Sequence, residues 1–209
     1  MDKIIYHKNT IEFITVAKEF CSFIEQAPTY NRKNFTDTAV KILPFLYLKA
    51  CMLPECEEPE DMYISEKFVT EDVYELIRNL IASLMGNQDS YLEVFMADMQ
   101  YSDTPIVAYI SEDIADIYQD VKDFVSTYRI GIEEQTYEAL YSCRTNFKNY
   151  WGQKLTNVLR PLHSIVFSPD SEDETENIQT EIDNDNTRSI LEQRMAEWKD
   201  ESNLDHWNE

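Results

Sequence analysis

The spacing of hydrophobic positions along the chain predicts a protein built almost wholly from helices. In five stretches, apolar residues recur every three to four positions, which is the spacing of one face of an amphipathic helix. Proline or glycine follows several of these stretches, and both residues end helices. We therefore predict an all-α fold, a single helical bundle of about five main helices, over residues 1–168. The predicted helices cover approximately residues 9–27, 34–53, 70–85, 111–129 and 137–162.

A few local features add detail to this pattern. Asn9 and Glu12 have the spacing of a capping box, so we expect the first helix to begin there. Pro44 predicts a kink in the second helix. Gly152 lies inside the fifth helix, where we expect a neighbouring backbone to come close. Residues 90–110 suit a short helix and an extended segment equally well, and both remain open.

The composition changes after Pro169. Residues 169–209 contain 14 acidic and three basic side chains, a net charge of −11 and half of the chain's −22. We predict an acidic disordered linker there, followed by a short amphipathic helix. That helix either docks weakly on the parent domain or binds in a groove of a partner protein. Its apolar residues are Ile190, Leu191, Met195 and Trp198.

The net charge of −22 decides which partners are expected. An acidic surface repels phosphate groups, so direct binding to nucleic acid or to an anionic membrane is not expected. The natural complement is another protein, and a basic one. The opening residues, MDKIIYHKNT, have too short an apolar run for a signal peptide. We therefore expect a cytoplasmic protein whose four cysteines are reduced.

Several catalytic motifs are missing from the sequence. The three glycines, Gly86, Gly131 and Gly152, are far apart, which excludes the glycine-rich loops that bind nucleotide phosphates. Cys51 and Cys56 have no second Cys/His pair at zinc spacing. We expect no cofactor, and the favoured function is that of a non-enzymatic adaptor or accessory protein.

One polar pattern is compatible with chemistry. Asp113, Asp116, Asp120 and Asp123 follow one another at steps of three, four and three, so they lie along one side of the fourth helix. Each lies one position before a residue of the predicted apolar seam of that helix, which contains Ile114, Ile117, Val121 and Phe124. This aspartate stripe has three interpretations. It is a solvated face, or it pairs with cations of the fifth helix, which offers Arg144, Lys148, Lys154 and Arg160. In the third, Asp116 and Asp120 bind Mg²⁺ or Mn²⁺.

The third interpretation needs further residues around the stripe. Tyr118 and Trp151 are either aromatics that pack between helices or the walls of a small pocket. His163 is a candidate base or third metal ligand. A metal-dependent hydrolase or a small-molecule pocket is thus the first alternative function, and an acidic mimic of nucleic acid is the second. The candidate pocket comprises Asp116, Tyr118, Asp120, Trp151 and His163.

Two segments resemble a bacterial family of uncharacterised, mostly helical proteins. Residues 116–122 read DIYQDVK, similar to the family's Asp-Ile-Tyr-x-Asp-Leu-Lys, and residues 150–163 contain YWG and LRPLH. The resemblance spans roughly residues 10–165 and implies a helical fold without an established activity. Tyr150 stands where the family commonly has histidine, and Lys154 stands near another usual histidine. These departures weaken a catalytic interpretation.

Overall fold

The protein is described here by a computed structural model that covers residues 4–59, 67–93 and 106–168. This part of the chain is mostly helical, which confirms the all-α prediction, and it adds one small two-stranded sheet. None of its helices is long and apolar enough to cross a bilayer. The predicted acidic linker and its amphipathic helix lie outside the described residues. The elements are α1 (Lys8–Glu25), α2 (Arg32–Cys51), α3 (Glu71–Met85), β1 (Ser90–Glu93), β2 (Ile106–Tyr109), α4 (Ile110–Ile130), α5 (Glu133–Asn146) and α6 (Gly152–Phe167).

The predicted capping box at the start of α1 is wrong. The cap is His7, whose Nδ1 accepts the backbone N–H of Asn9 at 3.2 Å. Glu12 turns away from the helix end and forms an ion pair with Lys49 of α2, with 2.6 Å between the charged atoms. This pair ties α1 to α2, so the tertiary contact outweighs the local cap.

Other helix ends follow the sequence closely. The side chain of Thr70 caps α3, and Gly86 ends that helix with a positive φ of 58°. Gly131 ends α4 with a φ of 79°. Glycine reaches these left-handed conformations without the steric cost that a Cβ brings. Helix α2 continues through Pro44 as one element.

Residues 90–110 contain the extended segments. Strands β1 and β2 pair antiparallel, with Ser90 opposite Tyr109 and Glu93 opposite Ile106. Asp89 joins this hairpin to α4, because its carboxylate accepts the backbone N–H of Ser111 at 2.8 Å and the hydroxyl at 2.7 Å. The hairpin therefore delivers the chain directly into the first turn of α4.

Helix α4 lies at the centre of the bundle. It packs against α1, α3, α5 and α6. Its predicted apolar seam, represented by Ile114, Ile117, Val121 and Phe124, is buried. Because helices surround α4 on several sides, polar residues beside the seam are also covered. This placement decides the surroundings of the aspartate stripe.

Candidate functional site

The first two aspartates of the stripe share one cation. The ammonium nitrogen of Lys154, on α6, lies 3.0 Å from Oδ1 of Asp113 and 2.8 Å from Oδ2 of Asp116. The hydroxyls of Tyr74 and Tyr150 donate to Asp116 at 2.9 Å and 2.8 Å. Tyr91 donates to Asp113. We call these six residues the polar centre; they connect α3, β1, α4, the turn before α6, and α6.

Burial and charge shift the pKa values in the polar centre. Asp113 is 4% exposed, and burial raises its pKa although the hydrogen bond from Tyr91 and the charge of Lys154 oppose this. Burial alone lowers the pKa of Lys154, but its bonds to Asp116 and Asp113 outweigh burial and raise it. Burial and the bond to Asp116 raise the pKa of Tyr150 to about 12. Lys154 therefore stays cationic and Tyr150 stays protonated, which suits hydrogen bonding rather than nucleophilic attack.

The other two aspartates of the stripe also hold neighbouring elements. Asp120 accepts a hydrogen bond from the side-chain amide of Asn146, on α5, at 2.6 Å. Asp123 accepts the backbone N–H groups of Phe68 and Val69 at 2.9 Å and 3.0 Å, which fixes the segment before α3. Burial raises the pKa of Asp120, and the nearby Asp123 adds to the increase.

These contacts distinguish between the interpretations of the aspartate stripe. The solvated face is wrong, because Asp113 and Asp123 are buried and all four carboxylates have partners. The inter-helix ion pairs exist, and their cation is Lys154, one of the four cations that the sequence offered on the fifth helix. Arg144, which was expected to need such a carboxylate if buried, pairs instead with Glu55 at 3.1 Å.

Tyr118 and Lys122 lie on a different side of α4 from the polar centre. Tyr118 is buried, and its hydroxyl donates to Oε1 of Glu25, on α1, at 2.9 Å. The ammonium of Lys122 contacts the same oxygen at 2.7 Å. In the segment DIYQDVK the acids thus hold α3, α5 and α6, while the tyrosine and the lysine hold α1. Helix periodicity explains this division, since Tyr118 is two positions after Asp116.

Trp151 ends a π turn, Phe147–Trp151, that joins α5 to α6, and Gly152 follows it as the first residue of α6. Trp151 is buried, its indole N–H donates to the carbonyl of Cys143 at 3.0 Å, and its ring lies 4.6 Å from that of Phe147. A Cβ on Gly152 would lie 2.4 Å from the carbonyl oxygen of Phe147. The close approach expected at Gly152 is therefore present, and the turn interrupts the predicted continuous fifth helix.

The contacts of Tyr118, Trp151 and His163 are made with other parts of the bundle and do not assemble the candidate pocket around Asp116. Tyr118 bonds to Glu25 and Trp151 to Cys143, as described above. His163 is exposed near the end of α6, where its ring lies 4.7 Å from that of Phe167. In residues 4–59, 67–93 and 106–168, no group of three or more His, Cys, Asp and Glu side chains could hold a metal ion.

A cleft of about 520 Å³ lies between β1 and α6. Tyr91 and Leu92 line one wall, and Asn157, Arg160 and Ile165 line the other. The side-chain amide of Asn157 donates to the carboxylate of Glu93, on β1, at 2.7 Å. Because Tyr91 also belongs to the polar centre, the cleft begins where that centre meets the hairpin.

The outer face of α2 exposes several large apolar side chains. Phe45, Leu48 and Met52 are 52%, 50% and 42% exposed. They are spaced i, i+3 and i+7, so they form one line along the helix; we call it the α2 face. On its flanks, Lys49 lies 5.7 Å from the ring of Phe45, and Tyr47 packs its ring 5.3 Å from that of Phe147.

Sequence reasoning missed the α2 face, although a signal was present. The segment ILPFLYLKACML, residues 42–53, is apolar nearly all round the helix and not only on one side. A helix with that pattern is normally buried throughout. Here its inner positions, such as Leu43 and Leu46, are buried while the outer line is exposed. Apolar residues on more than one side of the predicted helix were therefore the sequence signal for an exposed apolar surface.

The comparisons with known proteins agree with this architecture. The chain resembles the crystal structure of protein BF1032 from Bacteroides fragilis with 45% sequence identity and a TM-score of 0.70. The match covers 79% of this chain and 97% of that one. No curated protein matches the chain. Residues 4–168 match the family described as Domain of unknown function (DUF5063), so the helical core delineated above is a family domain, and the chain belongs to the DUF5063 family.

Proposed function

We propose that the chain is a cytoplasmic, non-enzymatic adaptor that binds another protein through the α2 face. The exposure of Phe45, Leu48 and Met52 in one line carries this proposal. Contiguous apolar side chains at a surface mark interaction sites, because leaving them in water forgoes the free energy of their burial. Apolar residues at i, i+3 and i+7 are the pattern by which helices recognise partner segments.

The contacts of the polar centre also support the non-enzymatic part of this proposal. The carboxylates of Asp113 and Asp116 are occupied by Lys154 and by tyrosine hydroxyls. His163, the base of the hydrolase hypothesis, packs against Phe167 instead. Side chains that resemble a catalytic set thus hold the helices of the bundle together, which supports a non-enzymatic function.

The proposal is tested by protein capture from a native lysate with three forms of the chain. The first is the wild type, the second carries Phe45→Ser and Leu48→Ser, and the third carries Leu92→Ser and Val107→Ser. The third is a matched control, because Leu92 and Val107 are similarly exposed on the hairpin. We expect a protein that the wild type and the control retain and the α2 variant loses. Retention of the same proteins by all three forms would contradict the proposal.

A further inference from the structure

We infer that the segment bound by the α2 face is a basic amphipathic helix whose cations lie over Glu57 and Glu58. This inference rests on the proposed function and specifies its partner. It comes from the charges at the two ends of the face, which differ in sign. An apolar line with an acidic end and a basic end favours a partner helix of complementary charge, bound in one orientation.

The negative end follows directly after Met52. Glu55, Glu57 and Glu58 are exposed, and Glu55 is 90% exposed at its side chain. Glu55 lies 3.1 Å from Arg144, whereas Glu57 and Glu58 have no cation within ion-pair distance in the described part of the chain. In a protein with a net charge of −22, two carboxylates without a cation beside an apolar line favour a basic partner.

The acidic end is held in place before any partner arrives. The hydroxyl of Tyr137, on α5, donates to the carbonyl of Glu57 at 2.9 Å and accepts its backbone N–H at 3.0 Å. The ion pair of Glu55 with Arg144 holds the same segment against α5. A surface that is already ordered loses less conformational entropy on binding. The backbone that carries Glu57 therefore has a defined position against α5.

The positive end of the face is Lys41, one turn before Phe45. Lys41 is exposed. Lys41 to Met52 spans about 16 Å at 1.5 Å per residue, so a partner helix of about four turns covers the line and extends past Met52 towards the acidic end. Its basic end lies over Glu57 and Glu58, and its other end lies near Lys41.

Two synthetic peptides of three to four helical turns test the inference. Both carry leucine at i, i+3 and i+7, and one has lysine where the other has glutamate at one end. Fluorescence anisotropy of the labelled peptides measures their affinity for the intact chain. We expect the lysine peptide to bind at least about fivefold more tightly than the glutamate peptide at low salt, because each exposed charge pair adds modestly and salt screens it.

Variants of the chain separate the apolar and the charged contributions. Phe45→Ser with Leu48→Ser should abolish binding of the lysine peptide, while Leu92→Ser with Val107→Ser should leave it unchanged. Glu57→Lys with Glu58→Lys should weaken it about fivefold or more. Lys41→Glu is the matched charge control and should not weaken it. Circular dichroism of each variant checks that it is folded.

Three results with the peptides would overturn the inference. The first two are failure of the lysine peptide to bind the wild type and equal binding of that peptide to the wild type and the α2 variant. The third is binding of the glutamate peptide as tightly as the lysine peptide. Dimerisation of the wild type that the α2 variant abolishes would assign the face to a second copy of the chain. If the lysate partner depends on Phe45 and Leu48 but not on Glu57 and Glu58, the proposed function stands and the basic partner fails.

Discussion

Lys154 is the side chain on which the polar centre depends. Its ammonium lies within 3.0 Å of oxygens of two aspartates, one of them buried. An unpaired buried carboxylate is expensive, because the protein interior solvates its charge poorly. A single lysine thus permits two carboxylates to lie side by side at the centre of the bundle.

We predict that Lys154→Met lowers the free energy of unfolding by about 2 to 3 kcal/mol near neutral pH. This is less than the cost of breaking a fully buried ion pair, because the side chain of Lys154 is partly exposed. Lys148→Met, a change of an exposed lysine before the same helix, should cost less than about 0.5 kcal/mol. Urea unfolding measures both.

The cost of Lys154→Met should depend on pH. The folded-state pKa of Asp113 is already raised, and loss of the cation raises it further. A carboxyl with a raised pKa binds its proton more tightly when folded, so its stabilising effect is present at low pH and is lost as pH rises through that pKa. The variant's deficit should therefore shrink between about pH 7 and about pH 4.5, near the range of carboxyl titration. A deficit that stays constant would contradict the role given to Asp113.

Divalent ions should not stabilise the chain. The oxygens of Asp116 and Asp120 contact Tyr74, Tyr150, Lys154 and Asn146. We expect millimolar Mg²⁺, Mn²⁺ or Zn²⁺ to change the melting temperature by less than about 1 °C, since an ion at a hundred times its dissociation constant adds about 2.7 kcal/mol, or several degrees. A larger rise that Asp116→Asn with Asp120→Asn removes would restore the metal hypothesis.

The sequence predicted part of this arrangement at the residue scale. Helical spacing correctly placed the four aspartates beside the apolar seam of α4, and Gly152 at a close contact. The partners Tyr74 and Tyr91 were not predicted, because they come from α3 and the hairpin. Spacing within one helix contains no information on which side chains of other elements approach it.

At the scale of elements, the π turn between α5 and α6 is the main departure from regular structure. The backbone N–H of Gly152 bonds to the carbonyl of Phe147, five residues earlier. The extra residue in this turn brings Trp151 into the core and Tyr150 to Asp116. A helix of regular pitch would turn these two side chains to other positions.

We predict that Gly152→Ala destabilises the protein by about 1 to 3 kcal/mol. Alanine in a regular helix gains about 1 kcal/mol over glycine, but here the Cβ would meet the carbonyl of Phe147 at 2.4 Å, and overpacking costs more than that gain. Gln153→Ala, the exposed neighbour, is the control and should change stability by less than about 0.5 kcal/mol. Stabilisation by Gly152→Ala would show that the π turn is not required.

The elements themselves were largely predictable. Proline and glycine signals placed the ends of several helices, because those residues act through local backbone geometry. The cap of α1 was not predicted, since Glu12 pairs with Lys49 of a different helix. Strands β1 and β2 were left open because four-residue strands have too few positions to show a period.

At the scale of the whole molecule, the net charge of −22 predicts that mild acid stabilises the fold. Protonation reduces repulsion among the carboxylates, and burial has raised the pKa of Asp113 and Asp120. Both are stabilising when protonated, and that contribution is lost as pH rises through their folded pKa values. We expect a larger free energy of unfolding at about pH 5.5 than at about pH 7.5, measured by urea unfolding.

Salt separates the two causes of this pH dependence. High salt screens repulsion between surface carboxylates but acts less on buried groups. We therefore expect the difference between the two pH values to decrease in high salt without vanishing. A fold that becomes less stable on mild acidification would contradict both arguments.

We propose that binding belongs to the α2 face and stability to the polar centre. The most direct test is the affinity of the purified capture partner for three folded forms: wild type, Phe45→Ser with Leu48→Ser, and Asp116→Asn. We predict that the α2 variant loses at least about tenfold in affinity, since two apolar side chains leave the interface, whereas Asp116→Asn binds as the wild type does. Unchanged affinity in the α2 variant together with loss in Asp116→Asn would contradict the claim and return function to the aspartates.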